Sequence, residues 1–584
     1  MSFLSRIMIL KSKAHFSTDG NNRPSDSFSR STFEGARKRK SNQAKSRVVL
    51  LVTSFIAVYC VIGGRLAQFA MTPPDTTSSI LPPDRLMASR PDIVDRNGAL
   101  LATDIRTVSL FAEPNKIIDP DEAVEQLRTV LPDLDTKGTY KKLAAKTSHF
   151  AWLRRQLTPK QQSQILALGI PGIGFRPEKR RFYPGGSTAA HILGYVNIDN
   201  RGVAGMEKYI DDQGLADLAA AGMTNDQPLQ PVKLSIDLRV QGIVRDAVVN
   251  AVKNFQAKGA GAAVIDIHTG EVLGMASAPD FDPNYPNEGA TEGWLNRMTN
   301  GTFEMGSTFK TFTMAMALDS GKVTLRDAFD ATNPIRIGGF IIHDFHGQHR
   351  VLTVPEIFQY SSNIGTAKIA DLVGIDPHKE FLTRLGLLNK MDTELPEVKA
   401  PSQPRVWKKI NSITISFGHG VSTTPLQTAV AASALVNGGK LIEPTFLPRT
   451  RDQADAIAKM VVKKSTSDDI RFLLEFNGTR GSGRNARVPG YNVGSKTGTA
   501  DKVVNGRYSN TLNFNSFLAA FPIDNPQYMV MTFIDEPKSG ERGGGTISAF
   551  TALPIARDII ARAAPILGVQ PSFGKDNSAL LASY

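Results

Sequence analysis

The chain has 584 residues, 41% hydrophobic and 21% charged, too long for one ordinary domain and too apolar for a disordered chain. Its net charge of +13 would suit a nucleic-acid binder, but residues 1–47 hold eleven Lys and Arg against three Asp and Glu, a net of +8, which leaves +5 for everything after them. The body is therefore close to neutral, which argues against a broadly basic binding surface, and the single cysteine, Cys60, excludes a disulfide framework.

In chain order, residues 1–47 are polar and end in Arg37-Lys38-Arg39-Lys40 with Lys45 and Arg47, a basic tail with too little apolar surface to order itself. Val48 to Gly64 is an uncharged run of Val, Leu, Ile, Ala and Phe. That is enough for a membrane span, which needs about 17–25 residues, with Arg65 snorkelling to the headgroups. The predicted anchor is 48–66, with Cys60 inside it. Lys and Arg on its N-terminal side place residues 1–47 in the cytoplasm and the remainder outside. The long segment before the run and the poor cleavage site at Gln68-Phe69-Ala70 speak against a signal peptide. Residues 67–84, rich in Pro, Thr and Ser, read as a linker leaving the membrane.

Residues 85–231 form a predicted first domain, opened by Ile93-Val94, an Asn97-Gly98 turn and Ala99 to Ala102 as a hairpin. A second domain is predicted over 232–566. It begins with β-rich runs at Gly261–Ile267 and Glu271–Ala276 and ends with others at Asn513–Phe521 and Tyr528–Ile534. Between these ends the pattern is helical at Ser307–Asp319, Pro355–Leu372 and Pro425–Leu435. The expectation is an α+β domain whose sheet is assembled from both chain ends and flanked by helices. Residues 567–584 read as a C-terminal tail, loose from Gln570 onward.

Three short motifs stand in the second domain in this order: Ser307-Thr308-Phe309-Lys310, Ser361-Ser362-Asn363 and Lys496-Thr497-Gly498. Each alone is common; together they resemble the S-x-x-K, S-x-N and K-T-G set of penicillin-binding proteins and class A β-lactamases. Their chemistry is coherent. Gly306-Ser307 opens an apolar helix, so Ser307 would sit where free N–H groups favour developing negative charge. Lys310 lies one turn on and on the same face. A buried ammonium near a second cation tends to lose its proton, and neutral Lys310 would then accept the proton of Ser307 as general base. Ser361 would relay that proton, and Asn363 would hold Lys310 and the substrate backbone. Lys496-Thr497-Gly498-Thr499 reads as a strand edge. There Gly498 lets another backbone approach, and Lys496 and Thr497 hold a carboxylate. The backbone N–H groups of Ser307 and Thr499 would form the oxyanion hole. No cofactor is called for and no metal motif is found.

The chain resembles a class B penicillin-binding protein, most like the FtsI division transpeptidases, over nearly its whole length. Besides the three motifs, Arg90-Pro91-Asp92-Ile93-Val94-Asp95-Arg96-Asn97-Gly98 resembles the start of the family's non-catalytic pedestal, a dimerisation-type domain. Arg181-Phe182-Tyr183-Pro184, His191-Ile192-Leu193-Gly194 and Gly205-Met206-Glu207 resemble its junction with the catalytic domain. Ser416-Phe417-Gly418-His419-Gly420, followed by Thr424-Pro425-Leu426-Gln427, also resembles a stretch typical of the family. Met305 before Gly306 and Pro91 after Arg90 depart from the family's usual Pro and Gly, without touching a catalytic side chain. The resemblance implies a β-lactamase/transpeptidase-like fold and a peptidoglycan D,D-transpeptidase in the bacterial inner membrane, with its catalytic domain periplasmic. It implies a Ser307 acyl-enzyme on stem peptides ending in D-Ala-D-Ala, and covalent capture of β-lactam antibiotics. The partners implied are an FtsW-like polytopic glycosyltransferase and other divisome proteins.

Rival readings are weaker. Val493-Gly494-Ser495-Lys496-Thr497 lacks the Gly a phosphate loop needs before its Lys. His343, His346 and His349 are spaced like metal ligands, but a polar loop with turns at Asp344 and Gly347 explains them. Arg176, Lys179, Arg180 and Arg181 read as a solvated face or a domain-interface contact rather than a nucleic-acid site. Gly259-Ala260-Gly261 precedes its strand, unlike a dinucleotide loop. Glu292-Gly293-Trp294-Leu295-Asn296 precedes Ser307, the wrong place for the water-activating Glu of a β-lactamase. A class A penicillin-binding protein would carry a glycosyltransferase domain, and a penicillin-sensing receptor several spans. An elongation-type transpeptidase, or a division scaffold with an inert fold, are the remaining alternatives.

Overall fold

The computed structural model describes residues 50–64, 90–214, 230–286, 291–504, 506–538 and 545–573. Two units divide the chain, 1–84 and 85–584. In the first, residues 50–64 are helical, with every side chain exposed. Among the described residues no helix is long and apolar enough to cross a membrane. The basic tail, both ends of the predicted anchor and the linker lie outside the described residues.

The second unit opens on the predicted hairpin. Strands β1 (Ile93–Val94) and β2 (Leu100–Ala112) pair antiparallel, Ile93 opposite Ala102. Asp95 closes the turn, its backbone N–H donating to Ala99 O and its carboxylate accepting from the Asn97 and Ala99 amides. Strand β2 also pairs with β3 (Ala151–Leu157) and β4 (Ile173–Phe182). The helix Pro120–Val130 follows Asp119, which caps it by accepting from the Asp121 and Glu122 N–H groups, and buries Ala123, Val124 and Leu127. Strand β5 (Val232–Lys233), which the sequence places at the start of the second domain, runs parallel to β1 and completes the pedestal sheet.

Three stretches that stand far apart in sequence meet in one buried ion cluster. Arg90 Nε donates to Glu207 Oε2 at 3.0 Å and Arg181 Nε to Glu207 Oε1 at 2.6 Å. Arg181 also reaches Asp104, and Arg90 reaches Asp211. Of the basic run, the domain-interface reading holds at Arg180, which donates to the Asn284 carbonyl in the following domain at 3.1 Å, while Arg181 is buried in the ion cluster and Arg176 and Lys179 are half-buried.

The catalytic-side sheet has the order β14-β15-β16-β6-β7, all antiparallel. Its members are β6 (Gly259–Asp266), β7 (Val272–Ala278), β14 (Gly494–Val504), β15 (Arg507–Phe521) and β16 (Tyr528–Asp535); β12 (Lys440–Leu441) and β13 (Lys459–Met460) pair with each other apart from it. Chain start and chain end do build it together, as the sequence predicts. Both faces are covered, so residues alternate between two cores. Met529, Met531 and Phe533 face one core, with Phe309 and Phe312. Val530 and Ile534 face the other, against the helices Leu238–Phe255 and Ala552–Ile566. Each such buried Phe contributes about 1.5–3 kcal/mol.

Two predictions change. Pro355–Leu372 is not one helix but two, Val354–Tyr360 and Asn363–Val373, separated by Ser361 at φ +56°. Before them lie short ribbons that helical periodicity does not reveal: β8 (Ala328–Asp330) with β11 (Val351–Thr353), and β9 (Ile335–Ile337) with β10 (Phe340–Ile342). At the C-terminus, Ser572 N–H donates to Gly490 O at 2.7 Å, so the predicted loose tail is tied down there; residues 574–584 lie outside the described residues.

Candidate active site

Ser307 lies in a tight 3₁₀ turn, Gly306–Phe309, that runs directly into the helix Lys310–Asp319. Lys310 through Leu318 are all buried, as an all-round apolar sequence requires. Ser307 is half-buried, while Lys310 is 0% exposed. Gly306 has φ +55°, and a Cβ there would fall 2.5 Å from Thr499 O and 3.1 Å from Thr499 N. The turn carrying Ser307 is therefore in backbone contact with β14 at Thr499.

The second motif forms the break between the two helices. Ser362 caps the second, its Oγ accepting from Gly365 N–H at 2.9 Å. Ser361, held left-handed, points both its carbonyl and its hydroxyl at Lys310. Lys310 Nζ donates to Ser361 O, to Ser361 Oγ at 3.1 Å and to Asn363 Oδ1 at 2.7 Å.

Strand β14 is the outermost of the sheet, so its free edge is open to a ligand backbone. Lys496 is 0% exposed; its Nζ donates to Ser361 Oγ at 3.1 Å and to Thr497 O at 3.0 Å, and lies 5.7 Å from the Phe358 ring centre. Thr497 Oγ1 shares a 2.7 Å hydrogen bond with Ser482 Oγ, and Thr499 Oγ1 accepts from Ser548 N–H at 3.2 Å. A Cβ on Gly498 would sit 2.4 Å from both Met305 O and Ser516 Oγ. Gly498→Ala is accordingly expected to push β14 off the Ser307 turn and slow acylation of Ser307 about 10- to 100-fold in a folded protein, a displacement of under 1 Å being enough. A rate within twofold of wild type would show that the strand has room to yield.

All eight predicted site residues thus fall on three elements that converge, with one hydroxyl, Ser361 Oγ, bridging two buried lysines. Burial drives the Lys310 ammonium well below its usual range, the nearby charge of Lys496 pushes it further, and Asp344 opposes both. Burial alone brings Lys496 down to about 7. His419 is held at about 4 by burial and then by Lys310, so it is neutral at physiological pH. A neutral amine beside a second lysine that stays partly protonated near neutral pH, both at one serine hydroxyl, suits proton transfer beside anion binding.

Other parts of the site had no signal in the sequence. Ser482 steadies Thr497 from a loop between helix and strand. Asp344, read as a turn residue, accepts from Ser362 Oγ and Ile364 N–H, while His343 O accepts from Asn363 Nδ2. Among the described residues no group of His, Cys, Asp and Glu is placed to hold a metal. The segment Glu292–Asn296 packs at the junction, where Gly293 O lies 2.7 Å from His191 Nε2.

A serine, two buried lysines and an open strand edge define a serine acyl-transferase site. Family comparisons agree with that class. Residues 260–561 match the penicillin-binding protein transpeptidase domain and residues 85–215 the penicillin-binding protein dimerisation domain. The chain belongs to the penicillin-binding protein family, as a class B member. It is 39% identical to the probable peptidoglycan D,D-transpeptidase FtsI of Caulobacter vibrioides, over 82% of each chain. It is 33% identical to the probable peptidoglycan D,D-transpeptidase PenA of Neisseria gonorrhoeae, over 83% of this chain and 86% of the other. Similarity to the peptidoglycan D,D-transpeptidase FtsI of Escherichia coli is 29%, over 86% and 89%.

Proposed function

We propose that this chain is a peptidoglycan D,D-transpeptidase of septal wall synthesis that works through an acyl-enzyme on Ser307. The observation that carries the reading is the Lys310–Ser361–Lys496 hydrogen-bonded group, whose Lys310 stands three residues along the chain from Ser307, within a family of transpeptidases. Lys310, uncharged, takes the proton of Ser307 as its Oγ attacks the penultimate D-alanyl carbonyl. Ser361 relays the proton to the departing amine of terminal D-alanine. The N–H groups of Ser307 and Thr499 receive the oxyanion. Asn363 holds Lys310 and the substrate backbone. Lys496 and Thr497 hold the terminal carboxylate, and Gly498 admits the peptide to the strand edge. The amine of a neighbouring stem peptide then displaces Ser307, completing the cross-link. A β-lactam acylates Ser307 in the same way and stays bound.

The same reading places the chain in the bacterial inner membrane, anchored once through 48–66, with residues 1–47 cytoplasmic and the catalytic domain periplasmic. Support comes from the apolar run, the basic flank and the helix over 50–64. Peptidoglycan stem peptides are the substrates, and an FtsW-like glycosyltransferase with other divisome proteins are the proposed partners.

Labelling of the detergent-solubilised chain with a fluorescent penicillin is expected to give a stable adduct on the peptide containing Ser307, lost in Ser307→Ala. Rapid release of hydrolysed drug would indicate a β-lactamase instead. No adduct in a folded protein would end the enzyme reading.

A further inference from the structure

We propose that Asp344 is a positioning residue of the acyl-transfer site, clamping the turn that carries Ser361 and Asn363, the two residues that hold the Lys310 amine. The inference rests on the transpeptidase reading above and extends it to a residue outside the three motifs.

Asp344 lies in the loop between β10 and β11 and is half-buried. Its two oxygens are divided between the two ends of one turn. Oδ2 accepts from Ser362 Oγ at 2.7 Å, and Oδ1 accepts from Ile364 N–H at 2.9 Å. The Ser362 hydroxyl, having given its proton to Asp344, turns its lone pairs to Gly365 N–H. Carboxylate and cap together therefore satisfy two of the free N–H groups that begin the helix Asn363–Val373. The preceding residue acts in the same place: His343 O accepts from Asn363 Nδ2 at 2.9 Å, which leaves Asn363 Oδ1 to face Lys310 Nζ. The dipeptide His343-Asp344 thus fixes the amide orientation of Asn363 and the start of its helix. Ser361, in a strained left-handed conformation at φ +56°, depends on the same clamp to keep its hydroxyl between the two lysines.

The charge matters separately. Lys310 feels Lys496 from β14 and Asp344 from the ribbon loop, while His419, in the loop after the helix Lys409–Ser416, is itself kept neutral by burial first and by Lys310 second. Among the described residues Asp344 is the one carboxylate whose charge acts on Lys310, and it favours the ammonium. Asp344 therefore opposes the deprotonation that burial and Lys496 promote.

The test is the acylation rate of the full chain by a fluorescent penicillin between pH 5 and 9, for wild type, Asp344→Asn and Asp344→Ala. Asp344→Asn keeps the shape and an acceptor oxygen but removes the charge. Its acid limb is expected to move to lower pH, so that its rate on that limb, relative to its own plateau, exceeds that of wild type about 3- to 10-fold. Asp344→Ala loses the clamp as well, and its plateau is expected to fall about 10- to 100-fold. Superimposable pH profiles for Asp344→Asn and wild type would overturn the charge role, and an Asp344→Ala plateau within twofold of wild type would overturn the clamp. If Asp344→Ala does not fold, the plateau of Asp344→Asn, which keeps one of the two acceptor oxygens, decides the clamp, and a plateau within twofold of wild type overturns it. Absence of wild-type labelling would instead count against the transpeptidase reading itself.

Discussion

Lys310→Ala is expected to slow acylation of Ser307 by penicillin about 10³- to 10⁴-fold, the upper range for loss of a positioned general base. The side chain is entirely buried, and its amine is the group that burial and Lys496 drive toward the neutral form. Lys310→Arg separates base from charge, because a guanidinium fits the cation role but does not deprotonate. It should be as slow as the Ala variant, and a rate within tenfold of wild type would refute the base assignment. Stability should move the other way. A lysine whose folded pKa lies below its unfolded value binds fewer protons when folded, so it costs stability at every pH below about 10.5. Lys310→Met is therefore expected to raise the denaturant midpoint at pH 7 while abolishing acylation, the trade expected where a site is built for chemistry.

Glu207→Ala is expected to destabilise the pedestal by about 3–5 kcal/mol, the range for removing one partner of a buried ion pair. Glu207 is 0% exposed and is shared by Arg90 and Arg181, both also buried, so the substitution leaves Arg90 with Asp211 and Arg181 with Asp104 as carboxylate partners, besides the carbonyls of Asn200, residue 207 and Pro91. Fluorescence of Trp152, on β3 of the same domain, would follow its unfolding in denaturant. A change under about 1 kcal/mol would mean that water or the remaining aspartates compensate.

Much of the site was legible because local chemistry demands local residues. A nucleophile at a helix start needs Ser307 and Lys310 one turn apart, and a strand edge that admits another backbone needs Gly498. The turn signal at Asn97-Gly98 located its hairpin, and the β-rich runs at Gly261–Ile267, Glu271–Ala276 and Tyr528–Ile534 located their strands, for the same reason. Helical periodicity failed at Ser361, since apolar residues on both sides continue the pattern through a break that a tertiary contact imposes. It also failed for the ribbons β8–β11, which are too short to show a period.

The sequence by itself determined the chemical groups, their order along the chain and the class of reaction, because these depend on residue type and on spacing within a turn. Only the tertiary structure decided that Ser361 bridges Lys310 and Lys496 and that Asp344 holds the turn between them. It also joined Arg90, Arg181 and Glu207 in one cluster. Those relations join residues 18 to 135 positions apart, and at such separations distance in space is set by how the layers pack, which no local pattern records.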